Sequence, residues 1–252
     1  MTADQYTPPD GHLGGHTDDQ PDHTTHTDTH TDPDDESTGG DEGTDGTPGE
    51  IQYTDSVEEN LTRHLMALKM DLATRAERGG VLDIAFHEVD SPVGRLLLAA
   101  TAKGVVRVAF EREGFDDVLE TLAEKISPRV LSSPRRLEPV ARELDQYFDG
   151  QLREFTVPKD YSLSEGFRLA VQQHLTDIGY GHTASYKEVA DLVGNPKAVR
   201  AVGTACATNP LPVVVPCHRV VRSDGTPGGY VGGLDAKQTL LTLENEMVSG
   251  CP

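Results

Sequence analysis

Between Met1 and Glu50 the chain carries fourteen carboxylates, no lysine or arginine, and only a handful of apolar residues. A segment of that composition cannot bury enough apolar surface to offset the entropy lost on ordering its backbone. Any fold must therefore be built from the residues that follow, and residues 1–54 read as a disordered acidic tail. The tail supplies 14 of the 20 excess negative charges, leaving the other residues with 28 acids against 22 bases. A body so near neutrality argues against dependence on a broad basic surface and leaves room only for a local nucleic-acid contact. The five tail histidines alternate with Thr and Asp at no fixed ligand spacing. That favours a solvated tail over a metal site.

Cys206, Cys217 and Cys251 form an odd set at unrelated spacings. This is neither a disulfide framework nor a zinc pattern, and it suits a reducing cytosol. The sequence has no basic-plus-apolar leader and no apolar run of membrane-spanning length. The expectation is a cytoplasmic protein that uses no membrane, no metal and no cofactor.

Hydrophobic periodicity then divides the body. Residues 55–78 carry Leu61, Leu65, Leu68 and Leu72 at helical spacing and read as a helical extension over 55–80. In "VLDIAFHEV", Leu82, Ile84 and Phe86 read as one strand face. Ser91-Pro92 to Gly94 and Lys103-Gly104 then turn the chain through "RLLLAAT" and "VVRVAF", which makes a three-stranded meander. Two amphipathic helices follow, one through Val118, Leu119, Leu122 and Ile126, the other through Leu137, Val140, Ala141, Leu144 and Phe148. Strands followed by helices indicate a small α+β domain over about 81–160.

Residues 161–252 read as mainly helical. Ser164 is a candidate cap for a helix through Phe167, Val171, Leu175 and Ile178. Ser185 with Glu188 makes a capping box for "YKEVADLV", which Gly194 stops. Pro196 is placed in the first turn of the next helix. Such a pair is a helix-turn-helix candidate, although many similar pairs only pack in cores. In the second helix Ala198, Ala201, Gly203 and Ala205 are small enough for close backbone approach. Its charges, Lys197 and Arg200, lie near its start, where a recognition helix touches nucleic acid.

The chemistry concentrates in "LPVVVPCHRVV", residues 211–221, read as a buried valine strand that delivers Pro216, Cys217 and His218 to a pocket floor. A lone cysteine is more often a small buried hydrophobe than a nucleophile, and a thiol needs a base, a cation or hydrogen bonds to react at neutral pH. Neighbouring side chains of a strand point to opposite faces, so Cys217 and His218 must sit on a bend, which Pro216 suits. In the last helix, Leu240, Leu241, Leu243 and Met247 define an apolar face with Glu244 near its middle. A carboxylate there is costly unless paired, and an imidazole is a fitting partner. A frayed helix end curling Glu244 to solvent is the alternative.

The segment "SYKEVADLVGNPKAVRAVGTACATNPLPVVVPCHRVVRSDGTPGGYVGGLDAKQTLLTLE" closely resembles the O6-alkylguanine-DNA alkyltransferases, or methylated-DNA–protein-cysteine methyltransferases. The matching pieces are "RAVG", "NP", "PCHRV", "GGL" and the Lys and Glu of the last helix, in order and spacing. The likeness extends more loosely back to about residue 82 and does not cover residues 1–80. It implies an α+β fold: a small RNase-H-like domain followed by a mainly helical, winged helix-turn-helix-like domain that carries the active site. It implies stoichiometric, suicidal transfer of an alkyl group from O6-alkylguanine in double-stranded DNA to Cys217, with O4-methylthymine a further candidate substrate, by a chain that is monomeric without DNA. His218 would take the thiol proton, in the family through a bound water. Glu244 would hold His218, and Asn209 would brace the turn. Tyr186 would hydrogen-bond the leaving guanine. Arg200 would fill the space of the extruded nucleotide, with Lys197, Ala201 and Gly203 beside it on the DNA face. Val220, Tyr230, Val231, Gly232 and Pro212 would wall the pocket. Val231 departs from relatives with a small polar residue there, which leaves the range of adducts open. Relatives with a metal site use cysteines near the N-terminus, and none precedes Cys206 here, so no structural zinc is expected.

Competing readings are a lesion-binding relative that flags damage, a winged-helix regulator without chemistry, and a Cys-His-Glu hydrolase. The flagging relatives replace the acceptor cysteine, which is present here as Cys217.

Overall fold

The computed structural model describes residues 50–249. The tail reading lies outside the described residues, apart from the first turns of a helix that begins earlier than periodicity suggested. Helix α1 runs Glu50–Arg78. Its leucine stripe is not a core face, for Leu61, Leu65, Leu68 and Leu72 all remain exposed. Docking falls to the last turns, where Ala73 and Ala76 are buried and Ser133 Oγ donates to Glu77 Oε1 at 2.9 Å.

The meander forms as expected from strands β1 (Ile84–Val89), β2 (Leu96–Thr101) and β3 (Gly104–Phe110). A short fourth strand, β4 (Val130–Ser132), pairs parallel with β1 and gives the order β3-β2-β1-β4. Three residues are too few for a period-two pattern to show. Helix α2 (Phe115–Lys125) covers one face, burying Val118 and Leu122 against Ile84, Leu97, Ala99, Val106 and Ala109. Helix α3 (Pro134–Phe148) covers the other through Leu137, Val140, Leu144 and Tyr147. Covered on both faces, central β2 is apolar at consecutive positions, with Leu96 to Ala99 fully buried. Ile84 and Phe86 share a face, but Leu82 precedes the strand and joins the opposite core.

Residues 155–160 run along the outer edge of β3, where Val105 N donates to Pro158 O and Asp160 N to Val105 O, both at 2.8 Å. This pairing satisfies edge groups that would otherwise invite another chain. Gly104 (φ +142°) permits the approach, since a Cβ there would collide with Pro158.

The second domain holds α4 (Gly166–Leu175), α5 (Tyr186–Leu192), α6 (Val199–Ala207) and α7 (Leu234–Ser249), with a two-residue parallel pair, β5 (Ala184–Ser185) and β6 (Val220–Val221). The Ser185–Glu188 capping box forms, with Glu188 N to Ser185 Oγ at 3.1 Å and Ser185 N to Glu188 Oε2 at 2.6 Å. Ser164 does not cap α4; Glu165 holds the N-cap position, and Ile178 lies beyond the helix. Pro196 sits in the turn closed by Ala198 N to Asn195 O, so α6 starts at Val199 and Lys197 precedes it.

The valine strand does not exist. Residues 211–215 form a buried turn, with Val215 N donating to Leu211 O at 2.7 Å and Val213 at φ +72°. The valines read as a strand because buried turns and buried strands share one apolar signature. A β-branched residue at positive φ costs on the order of 1–3 kcal/mol and persists only where its surroundings over-determine it.

One core runs through both domains, from Leu98 and Val108 of the sheet to Val202, Leu211 and Leu240. Val108 N donates to Pro210 O at 2.8 Å across the junction, and Phe110 packs edge-on against Tyr230 with centroids 5.6 Å apart.

Candidate active site

Directly after the strained turn, Cys217–Arg219 forms one turn of 3-10 helix, the bend the sequence required. Asn209 fixes its approach: Nδ2 donates to Val215 O at 2.9 Å and to Cys217 Sγ at 3.1 Å, and Oδ1 accepts from Leu211 N at 3.0 Å. One buried amide therefore closes both ends of the turn and touches the sulfur.

Cys217 is 2% exposed and His218 fully buried. Burial pushes the Cys217 thiol up to about 11, against the opposing pull of the Asn209 hydrogen bond. Burial also holds the His218 imidazole below its ordinary value, the carboxylate of Glu244 acting the other way. The resting pair is thus a neutral thiol beside a neutral imidazole.

Glu244 comes from the buried face of α7, which consists of Ala236, Lys237, Leu240 and Glu244. Leu241 and Leu243 are half-buried, whereas Met247 is exposed and is not part of the apolar face assigned to it. Glu244 points inward rather than to solvent. His218 Nε2 lies 2.9 Å from Oε1, Tyr147 donates its hydroxyl to Oε1 at 2.6 Å, and Gly181 N donates to Oε2 at 3.1 Å. Arg219 brings Nη2 to 2.9 Å from Oε1 and Nε to 3.0 Å from Oε2. Although burial alone would raise it, the hydrogen bonds from His218 and Arg219 bring the carboxyl down to about 2. An ionised carboxylate only accepts, so His218 Nε2 carries its hydrogen and donates it. Nδ1 is left as a bare lone pair, with no hydrogen-bond partner among the described residues.

The remaining predicted residues are spread over helices α5 and α6, strand β6 and the turns and loops between them. Tyr186 opens α5 half-buried, with Gly228 against its ring, and its hydroxyl is raised by burial and by the nearby thiols of Cys206 and Cys217. On α6, Arg200 and Ala201 are exposed and Gly203 half-buried, while Lys197 is exposed in the turn ahead. Val220 and Pro212 are buried; Tyr230, Val231 and Gly232 are half-buried in the loop before α7. That loop reaches the site, since the Tyr230 ring packs edge-on against His218 at 6.3 Å.

Sequence reasoning gave no role to Arg219 or Tyr147, and it matched Lys237 to the family without assigning it a contact. Arg219, given no role, is the cation that pairs Glu244; a guanidinium inside an apolar run demands a carboxylate, and that signal was present. Lys237 is fully buried and donates Nζ to the carbonyl of Val220 at 2.5 Å. Tyr147 belongs to the other domain; its spacing from Leu137, Val140 and Leu144 marks it as buried, but nothing local ties it to Glu244.

Residues 84–161 match the ribonuclease-like domain, and residues 166–246 the DNA binding domain, of 6-O-methylguanine DNA methyltransferase. The class is therefore the two-domain methyltransferases that pair a ribonuclease-like module with a DNA-binding one. The inducible methylated-DNA–protein-cysteine methyltransferase of Bacillus subtilis is 39% identical over 153 residues, covering 60% of this chain and 85% of that protein. Its counterpart in Mycolicibacterium paratuberculosis is 40% identical over 161 residues, covering 64% and 92%. The crystal structure of Mycobacterium tuberculosis O6-methylguanine methyltransferase matches with a TM-score of 0.58 and 34% identity, covering 67% of this chain and 95% of that one. The M. tuberculosis OGT structure in complex with DNA matches at 0.56, with 34% identity, covering 65% and 94%. The chain belongs to the methylated-DNA–protein-cysteine methyltransferase family.

Proposed function

We propose that this chain repairs duplex DNA bearing O6-alkylguanine by moving the alkyl group once, and irreversibly, onto Cys217. The observation that carries the reading is the buried cluster: a neutral thiol touched by Asn209 and, next to it in the chain, an imidazole whose Nε2–H is committed to Glu244 and whose Nδ1 has no partner among the described residues. The thiol proton leaves for His218 Nδ1 through a bridging water, Nδ1 having no hydrogen-bond partner among the described residues, as the sulfur lone pair attacks the alkyl carbon. The C–O bond breaks toward the guanine, an S–C bond forms, and the purine is reprotonated. The product thioether is a poor leaving group, so each molecule acts once.

The target carbon lies inside the base stack until its nucleotide is extruded. Arg200, exposed in the first turn of α6, fills the vacated space, with Lys197, Ala201 and Gly203 along the same approach. Tyr186 hydrogen-bonds the departing base and offsets the charge that develops on it. Val220, Tyr230, Val231, Gly232 and Pro212 enclose the alkylated purine, Val231 offering only its backbone N–H. With the thiol raised to about 11, activation comes from proton transfer within the bound complex rather than from a resting thiolate.

Intact mass after incubation with an O6-methylguanine oligonucleotide tests this. One methyl per molecule is expected on the peptide holding Cys217, and none after Cys217→Ala. Turnover beyond one equivalent would indicate a hydrolase, and tight binding without mass gain a damage flag.

A further inference from the structure

We propose that Tyr147, supplied by the ribonuclease-like domain, is a positioning residue for alkyl transfer: its hydroxyl fixes Glu244 and, through Glu244, the tautomer and proton affinity of His218. This rests on reading Cys217 as the acceptor and His218 as its base.

A carboxylate offers about four lone-pair directions over its two oxygens. Glu244 Oε2 is occupied by Gly181 N and Arg219 Nε, and Oε1 by Tyr147, His218 Nε2 and Arg219 Nη2. At 2.6 Å, the Tyr147 bond has the length of a charge-assisted O–H···O⁻ contact. It is the one side-chain donor to Glu244 among the described residues that comes from outside the catalytic domain. Its ring is fully buried and held by Phe155 at 5.2 Å, Phe148 at 5.4 Å and Tyr180 at 5.9 Å, so the hydroxyl has little freedom to follow a displaced carboxylate.

The same oxygen stands 3.4 Å from His218 Nε2. Because the Tyr147 hydrogen is donated to Glu244, that oxygen presents a lone pair to the imidazole. Nε2 thus faces two acceptors, and a bare nitrogen there would meet two lone pairs. Both contacts keep the hydrogen on Nε2 and the lone pair on Nδ1.

Other charged and titratable groups bear on the pair. His218 faces Glu244 and Lys237 from α7, Arg219 from its own turn, Cys217 beside it and Tyr230 from the loop. Glu244 also lies close to Tyr180. Arg219 and Lys237 oppose a charged imidazole, and Glu244 alone favours it. Tyr147 moderates Glu244: its donated hydrogen draws charge from Oε1, the oxygen that also receives the imidazole N–H. Removing the hydroxyl leaves Oε1 more basic and His218 easier to protonate.

The test is single-turnover methyl transfer from an O6-methylguanine duplex to the full chain and to Tyr147→Phe, followed across pH with thermal unfolding in parallel. Tyr147→Phe should still take one methyl on Cys217, on the order of tenfold more slowly at neutral pH. The acid limb of its rate profile should move to higher pH. An unshifted profile overturns the proposal, whether the rate is unchanged or falls together with stability. Imidazole nitrogen NMR of the unsubstituted protein provides a second arm that does not depend on the variant folding. His218 should carry its hydrogen on Nε2, and the opposite tautomer overturns the proposal. A wild-type chain that accepts no methyl defeats the repair reading itself, while the tautomer still reports on the Tyr147 network.

Discussion

Glu244 and Asn209 show how single buried polar groups organise this site. Asn209 satisfies two backbone groups at the ends of a turn whose Val213 sits at φ +72°, and so holds a conformation the chain would otherwise abandon. Glu244 is buried, yet its carboxyl stands at about 2 against an ordinary 4.5, because its hydrogen bonds outweigh desolvation. A group depressed in the folded state contributes stability that is fully present above its unfolded value and is lost as pH falls through the folded one. Glu244→Gln leaves the Arg219 guanidinium buried without its countercharge, which should cost about 3–5 kcal/mol at neutral pH. Denaturant titrations at a series of pH values should show the gap from wild type closing between pH 4.5 and about 2. A gap independent of pH would contradict the pairing. The lowered His218 works in the same direction: the unfolded chain takes up that proton first as pH falls below 6.5.

At the level of elements, the proposed repair assigns separate parts of recognition to α6 and the loop before α7. Helix α6 buries Val202, Ala205 and Cys206 and leaves Arg200 and Ala201 outward. A Cβ at Gly203 would meet no neighbour within 4 Å among the described residues, so packing among them does not require a small residue there. The proposed function assigns that outward face to duplex DNA. Arg200→Ala should slow repair of an alkylated duplex by about tenfold or more while leaving transfer from the free alkylated base nearly intact, since only the duplex requires extrusion. Single-turnover rates on the two substrates make the comparison, and equal losses would remove the extrusion role. The loop, in contrast, is packed tightly: a Cβ on Gly232 would lie 2.5 Å from the Phe110 ring. Phe110 belongs to β3, so the first domain packs directly against the loop before α7.

Over the whole molecule the two domains behave as one packed body. The core passes without interruption from the sheet to α4, α6 and α7, and backbone, aromatic and Tyr147 contacts cross the junction. Unfolding between residues 80 and 249 should therefore be a single cooperative event. Far-UV circular dichroism and the thiol reactivity of Cys217 should share one denaturant midpoint. Two separated transitions would show that the domains are independent.

Sequence alone determined the two-domain order, the capping box at Ser185 and the meander, because each leaves a local mark, and it singled out Cys217, His218 and Glu244 as candidates, whereas Asn209 came only from the family resemblance. Spacing, a cap pair or a misplaced polar residue in an apolar run is enough to read them. The valine turn was mistaken for a strand because burial without periodicity has no direction, and α1 showed a leucine stripe that the fold leaves exposed. Only the tertiary structure decided that Arg219 and Tyr147 meet on Glu244. Those contacts join positions 25 and 97 residues apart in the chain, and the pairing of such distant groups is set by how helices and sheet pack rather than by any pattern within one of them.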